Sequence, residues 1–294
     1  MLPLVASIRT WGEVIKFPHS VFALPFALLA TFLAARPQRP TWTQLGLIVL
    51  CMVAARAAAM TFNRIVDVQF DAANPRTANR ALPRGAVTRT AAWVFFAAAC
   101  LAFLLGCAAF LRQYDNPWPL RLALPVLAWL CFYSLTKRFT LWSHVALGVA
   151  LALSPVAAWV AINPTTLSAP AWLLLIAVTF WVAGFDLIYA CQDVKFDRAQ
   201  GLYSVPARLG VTAALWLARG FHLLTTAALV GVGLSARLGT LYYAGVACVA
   251  ALLVIENALV SPRDLRRANL AFFAVNGFVG VLLGILGVLD IVLS

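Results

Sequence analysis

An all-α membrane protein with about nine transmembrane helices is the fold class this sequence predicts, on three observations. Hydrophobic residues make up 63% of the chain against 11% charged, and the mean hydropathy is +0.91, far from the roughly 45–50% apolar and 25% charged profile of soluble domains. Apolar stretches of about 17–25 residues, enough to cross a hydrocarbon core, recur along the whole chain. None alternates with period two as a barrel strand does, and a spanning segment has to satisfy its own backbone amides, so the stretches are helices.

The first segment, 18–35, stops at Arg36-Pro37, and the second, 43–62, runs into the polar stretch that begins at Asn63. The third, 91–111, ends at Arg112, and the fourth, 118–135, closes on Lys137-Arg138. Segments 141–162 and 170–190 are separated by Asn163-Pro164, and the latter leads to Asp193. The last three are 211–234, 239–259 and 269–292, with Arg237 and the Pro262-Arg263 turn between them. These leave no room for a separate soluble domain, so residues 1–294 are expected to form one domain.

The formal charge of +12 invites a nucleic-acid reading, but in a polytopic protein charge reports orientation. With residue 1 inside, only Arg36, Arg39, Arg112, Arg121 and Arg237 fall outside, while every other lysine and arginine, from Arg9 and Lys16 onward, falls inside. The N-terminus is therefore expected in the cytoplasm. Residues 1–35 are read as a span and not as a cleaved leader ending at Leu33-Ala34-Ala35, since the apolar run is long for a leader and eight more spans follow. The six cysteines (Cys51, Cys100, Cys107, Cys131, Cys191 and Cys248) lie in or beside apolar runs without a C-x-x-C pair, so buried thiols are expected, not disulfides or zinc. His19, His144 and His222 are scattered and form no ligand cluster in sequence.

Asp and Glu total only 10, and four of them make two D-x-x-x-D pairs: Asp67 with Asp71 after the second segment, Asp193 with Asp197 after the sixth. On a helix, i and i+4 share a face. The faces reach back into the apolar runs as Arg56, Asn63, Asp67, Asp71 and as Asp186, Tyr189, Asp193, Asp197. Both rows end on the same side, so two related halves, roughly 10–140 and 141–294, are expected to face one cytoplasmic pocket. Converging carboxylates require cations, and Mg²⁺ typically takes one or two carboxylates plus substrate phosphates. Arg76, Arg80 and Arg84 follow the first pair, Lys137 and Arg138 end the fourth segment, and Arg198 and Arg208 follow the second pair. Such a mixture of acids and cations suits a metal-bound diphosphate. Intramembrane ionisable groups are expensive and usually functional.

These residues resemble the UbiA superfamily of intramembrane aromatic prenyltransferases. Its N-x-x-x-D-x-x-x-D signature matches Asn63, Asp67 and Asp71, followed by "NPRTANRALPRG"; its second matches "DLIYACQDVKFD"; a third, Y-x-x-x-K-R, matches "YSLTKR". The resemblance covers nearly the whole chain and implies a ring of nine helices around a central cavity with cytoplasmic cap loops. It implies that Asp67, Asp71, Asp193 and Asp197 hold two Mg²⁺ ions on the diphosphate of a polyprenyl donor. Asn63 would support that metal shell, and Lys137, Arg138, Arg76 and Arg80 would bind diphosphate oxygens. Arg56 would receive the carboxylate of the aromatic acceptor, and Asp186 matches an acidic residue lower in the cavity. Tyr133 and Tyr189 lie inside the motifs, where interface anchoring is an equally good reading.

The implied chemistry is ionisation of an allylic diphosphate and attack by a ring carbon ortho to a phenol, with Asp193, Asp186 or diphosphate as proton acceptor. "IKFPHSVFALPFAL" and "FDLIYACQDVKFDRAQGLYSVPARLG" look like bacterial quinone-pathway 4-hydroxybenzoate polyprenyltransferases of ubiquinone synthesis, and that resemblance implies a bacterial inner membrane. The alternative acceptor is 1,4-dihydroxy-6-naphthoate in menaquinone synthesis, and haem O synthase is a distant third. A transporter competes as a class, since carriers also carry inward polar rows and repeats, but these acids cluster at one surface beside cations. The D-G-x-x-A-R stretch of CDP-alcohol phosphotransferases does not occur. The expected partners are a polyprenyl diphosphate, a small aromatic acid and the bilayer, with no nucleic acid and no obligate protein partner.

Overall fold

The computed structural model describes residues 11–13, 20–270 and 275–294. Arg9, Lys16, His19 and the first part of the IKFPHSVFALPFAL stretch lie outside the described residues, as does the expected cytoplasmic N-terminus. Regular structure among the described residues is helical, apart from one isolated bridge between Ser261 and Asp264. The helices are α1 Ser20–Ala35, α2 Trp42–Val66, α3 Val68–Ala73, α4 Arg89–Tyr114, α5 Trp118–Thr136, α6 Ser143–Ile162 and α7 Ala169–Ala190. They continue with α8 Val194–Ala199, α9 Val205–Leu209, α10 Val211–Ala236, α11 Thr240–Ala258, α12 Ala268–Leu270 and α13 Asn276–Leu293. Short 3₁₀ turns cover Pro164–Thr166 and Cys191–Asp193.

Among the described residues eight helices are long and apolar enough to cross a membrane: α2, α4, α5, α6, α7 continued through α8, α10, α11 and α13. The described part of the first predicted segment is the 16-residue helix α1. The second segment is longer than predicted, because the helix runs on through Asn63 to Val66. Leu124, Leu223, Val254 and Phe278 are exposed, as lipid-facing side chains are. The helix ends follow local chemistry. Thr88 caps α4 by accepting from the Ala91 amide, and Ser204 caps α9 through the Ala207 amide. Pro25, Pro125 and Pro155 sit inside helices, which membrane packing tolerates.

The chain divides into two compact units, residues 1–20 with 46–135 and residues 21–45 with 136–294. In the first, α2, α4 and α5 meet through Ala54, Ala57, Ala58, Ala99, Phe103, Cys107, Ala123 and Leu127. Small residues suit a setting where lipid gives helices no hydrophobic reason to associate, so close backbone approach and van der Waals contact hold them. The segment after α3 folds back with Ala81, Leu82 and Val87 packed on Ile65 and Ala92.

In the second unit α7 is the central helix. Leu174, Val178, Trp181 and Val182 are completely buried, and they pack in one core with Phe22, Phe26 and Leu29 of α1. Leu229 and Val232 of α10, Tyr242 and Val246 of α11, and Val279 and Leu283 of α13 complete it. Gly148 of α6 lies directly against the Thr179 carbonyl of α7, where a Cβ would overlap backbone. That close approach sets the register of α6 on α7.

Candidate active site

Both acidic pairs sit where a long helix breaks in the same way. Helix α2 stops at Val66, Asp67 takes φ −96° and ψ 6°, and α3 starts at Val68. Helix α7 stops at Ala190, a 3₁₀ turn leads to Asp193 at φ −101° and ψ 6°, and α8 follows. These are bridge-region conformations, sparsely populated and common for residues in active sites. The helical spacing survives the first break, because the Asp67 amide donates to the Asn63 carbonyl (3.0 Å) and the Asp71 amide to the Asp67 carbonyl (2.8 Å).

In the first unit, Asn63 Nδ2 donates to Asp67 Oδ2 at 2.9 Å. Asp71 is buried and accepts from Arg80 Nη1, with Arg64 Nη1 3.7 Å from its Oδ2. The segment from Asn74 to Gly85 is a chain of turns: Thr77 Oγ1 donates to the Asp71 carbonyl, and the Arg76 amide to Asn74 Oδ1. These bonds swing Arg76 and Arg80 back over Arg64, and the three arginines border a cavity of about 270 Å³ together with Glu13, Asn79 and the Ala81–Leu82 stretch. Guanidiniums on one small cavity favour a multiply charged oxyanion. Deeper along α2, Arg56 has a buried Nε with no hydrogen-bond partner, and Tyr133 of α5 lies within electrostatic reach of Arg56 and Arg64.

In the second unit, Asp197 is wholly buried, 2.7 Å from Lys137 Nζ, and accepts from Ser204 Oγ at 2.8 Å. Gly201, at φ 65°, turns the chain so that the Leu202 amide meets the Asp197 carbonyl and the Tyr203 amide meets the Lys137 carbonyl. Arg198 Nε donates to the Ala207 carbonyl, and the Arg208 guanidinium stacks 4.0 Å above the Tyr203 ring, so both help fold this loop. Asp193 is buried, Tyr189 is half-buried against the core, and Arg138 is exposed. Asp186 pairs with His144 of α6, Oδ2 to Nδ1 at 2.7 Å. In neither unit do three or more His, Cys, Asp or Glu side chains among the described residues stand together as a metal cage.

The structure thus joins Asn63 with Asp67, Arg80 with Asp71, Arg76 with Arg80, and Lys137 with Asp197. Sequence reasoning missed Arg64, Ser204 and His144. Arg64 carries a signal in the sequence, two helical turns before Asp71. Ser204 and His144 carried none, since their partners are set by tertiary contact.

The family model of the UbiA prenyltransferase family matches residues 23–279. This chain belongs to that family. The 4-hydroxybenzoate octaprenyltransferase of Cronobacter sakazakii is 33% identical over 257 residues, 87% of this chain and 85% of that one. The enzyme of the same name from Dechloromonas aromatica is 31% identical, covering 87% and 84%. The mitochondrial 4-hydroxybenzoate polyprenyltransferase of Rattus norvegicus is 32% identical over 83% of this chain, and the chain spans 63% of that protein's length. A UbiA homologue from Aeropyrum pernix, solved without ligand, superposes with a TM-score of 0.82 at 30% identity, covering 92% of this chain and 98% of that one. A UbiA homologue from Archaeoglobus fulgidus bound to DMAPP and Mg²⁺ shares the fold at a TM-score of 0.74 and 18% identity, over 97% of this chain and 100% of that one. The UbiA-family chain is an aromatic polyprenyltransferase of the membrane, and the transporter reading falls with that assignment.

Proposed function

We propose that this enzyme transfers a polyprenyl group from a polyprenyl diphosphate to a ring carbon of 4-hydroxybenzoate, a step of ubiquinone synthesis, with Mg²⁺ as its metal. The observation that carries the reading is the set of three arginines, Arg64, Arg76 and Arg80, around one cavity beside the Asp67–Asp71 pair. The relatives named for 4-hydroxybenzoate support the acceptor. The positive loops support an orientation with the N-terminus and both acidic loops on the cytoplasmic side, and the bacterial relatives support an inner membrane.

The acids fit a hard divalent cation. Asp71 Oδ2 is buried and accepts no hydrogen bond, and its ion-pair contact with Arg64 Nη1 is a long 3.7 Å, which leaves a lone pair for a hard divalent cation to complete. Asp67 and Asp71 would hold one ion, with Asn63 orienting Asp67, and Asp193 and Asp197 would hold the other. Bound Mg²⁺ supplies neutralisation of the leaving diphosphate.

The chain's own groups do the rest. Arg76, Arg80, Lys137 and Arg138 bind diphosphate oxygens, so the C–O electron pair departs onto a screened group. Arg56, whose buried Nε lacks a partner, takes the acceptor's carboxylate and fixes the ring with its ortho carbon toward the allylic centre. The apolar helices keep water from the cation until the C–C bond forms.

The test is product formation by membranes containing the protein, supplied with Mg²⁺ and a polyprenyl diphosphate. 4-Hydroxybenzoate and 1,4-dihydroxy-6-naphthoate are offered in parallel, and mass spectrometry reads the products. Prenylated hydroxybenzoate is expected; prenylated naphthoate alone would move the enzyme to menaquinone synthesis.

A further inference from the structure

Asp186 and His144 form a buried acid–imidazole pair that the metal and diphosphate chemistry does not use. His144 Nδ1 lies 2.7 Å from Asp186 Oδ2, and the two side chains are unequally enclosed: 3% exposed for His144, 24% for Asp186. The imidazole therefore holds the carboxylate from its closed side and leaves the rest of it accessible. His144 Nε2 is buried without a hydrogen-bond partner. A hydrogen there would be an unpaired buried donor, whereas one on Nδ1 is donated to Asp186.

The pair is built by the helix contact described above. Gly148, one turn beyond His144, rests on the Thr179 carbonyl, two turns before Asp186. Because α6 and α7 touch backbone to side-chain-less backbone at that point, the first turn of α6 is brought onto α7 at Asp186. From Asp186, four residues complete α7 and the 3₁₀ turn carries the chain on to Asp193, about 12 Å along the axis. The Asp186 carboxylate thus stands below the level of the acidic pair, at a depth suited to an aromatic ring whose reacting carbon lies near the allylic end of the donor.

We propose that His144 is a positioning residue of the transfer reaction: it fixes Asp186 as the acceptor of the hydroxyl proton of the phenolic substrate. This rests on the function proposed above. As the ring carbon attacks, the hydroxyl proton passes to Asp186 and the C–O electron pair leaves with diphosphate. The resulting dienone is neutral. Its tetrahedral carbon loses a proton to diphosphate, and Asp186 returns its proton to the ring oxygen as aromaticity is restored. His144 keeps one lobe of the carboxylate occupied throughout, so the other faces the hydroxyl.

The test compares His144→Leu, His144→Asn and His144→Gln with 4-hydroxybenzoate and with its more acidic 3-fluoro analogue. An asparagine amide nitrogen falls near the place of Nδ1, a glutamine amide nitrogen near that of Nε2. The leucine and glutamine variants are expected to lose kcat by about 10- to 100-fold with an unchanged donor KM, and the asparagine variant to recover most of it. The loss should shrink with the fluorinated acceptor, whose hydroxyl gives up its proton more readily. Equal losses for both acceptors, no loss, or a glutamine variant as active as the asparagine one would overturn the inference while leaving the proposed function intact. Wild-type membranes that prenylate no phenolic acid would overturn both.

Discussion

Replacing Lys137 with methionine removes the cation from a carboxylate that has no access to water. The Nζ lies 2.7 Å from Asp197 Oδ1; the acid is 0% exposed and the lysine 35%. At an effective dielectric of about 20 the bare attraction is about 6 kcal/mol, much of it offset by desolvation of the carboxylate. Without the lysine, Asp197 keeps the Ser204 hydroxyl at 2.8 Å but no compensating charge. Breaking such a buried pair costs about 3–5 kcal/mol, and the partial exposure of the lysine places this one near about 3 kcal/mol. The unfolding midpoint in detergent should fall by roughly 6–12 °C, followed by the reaction of buried Cys107 and Cys191 with a thiol-reactive dye during heating. The double variant Lys137→Met with Asp197→Asn should regain most of the loss, because a neutral amide is cheaper to bury, and it should remain inactive. A fall of less than about 2 °C, or a double variant no more stable than the single one, would refute the reasoning.

Asp67→Asn and Asp193→Asn should each abolish transfer with an unchanged unfolding midpoint, and full activity in either would sink the assignment of two metals. Arg56→Ala should raise the KM for the aromatic acid about 10- to 100-fold, the worth of one charged hydrogen bond, with the KM for polyprenyl diphosphate unaltered; steady-state kinetics with each substrate varied separates the two. Asn276→Leu removes the partner of both Trp181 Nε1 and Glu256 Oε1, each 2.7 Å away and buried. It should cost about 2–4 kcal/mol, and an unshifted midpoint in the thiol assay would show that these polar groups find other partners.

The fold class was legible because lipid imposes a length and an internally satisfied backbone on every span, and composition alone meets that test. The acidic signatures were legible for a related reason: with only 10 acidic residues in the chain, two matched pairs at segment ends are hard to explain as solvated surface. Spacing could carry Asp67 onto the face of Asn63, since both the i and i+4 relation and the hydrogen bond between them are local.

What lay beyond the sequence depends on which helices touch. Pattern reading carries each acidic row on one continuous helix; the first row keeps its i to i+4 bonds, but Asp67 and Asp193 each take nearly the same bridge-region conformation at a junction between helices, which no pattern announces. It treats the four carboxylates as equivalent, whereas tertiary contact sets Asp71 against Arg80 and Asp197 against Lys137, and Asp67 takes its hydrogen bond locally from Asn63. His144 looked like an isolated residue at the start of a span. Its meeting with Asp186, 42 positions away, follows from Gly148 seating on the Thr179 carbonyl. Periodicity determines which side of its own helix a residue occupies; the packing distance between helices, set here by one missing Cβ, decides which side chain it meets.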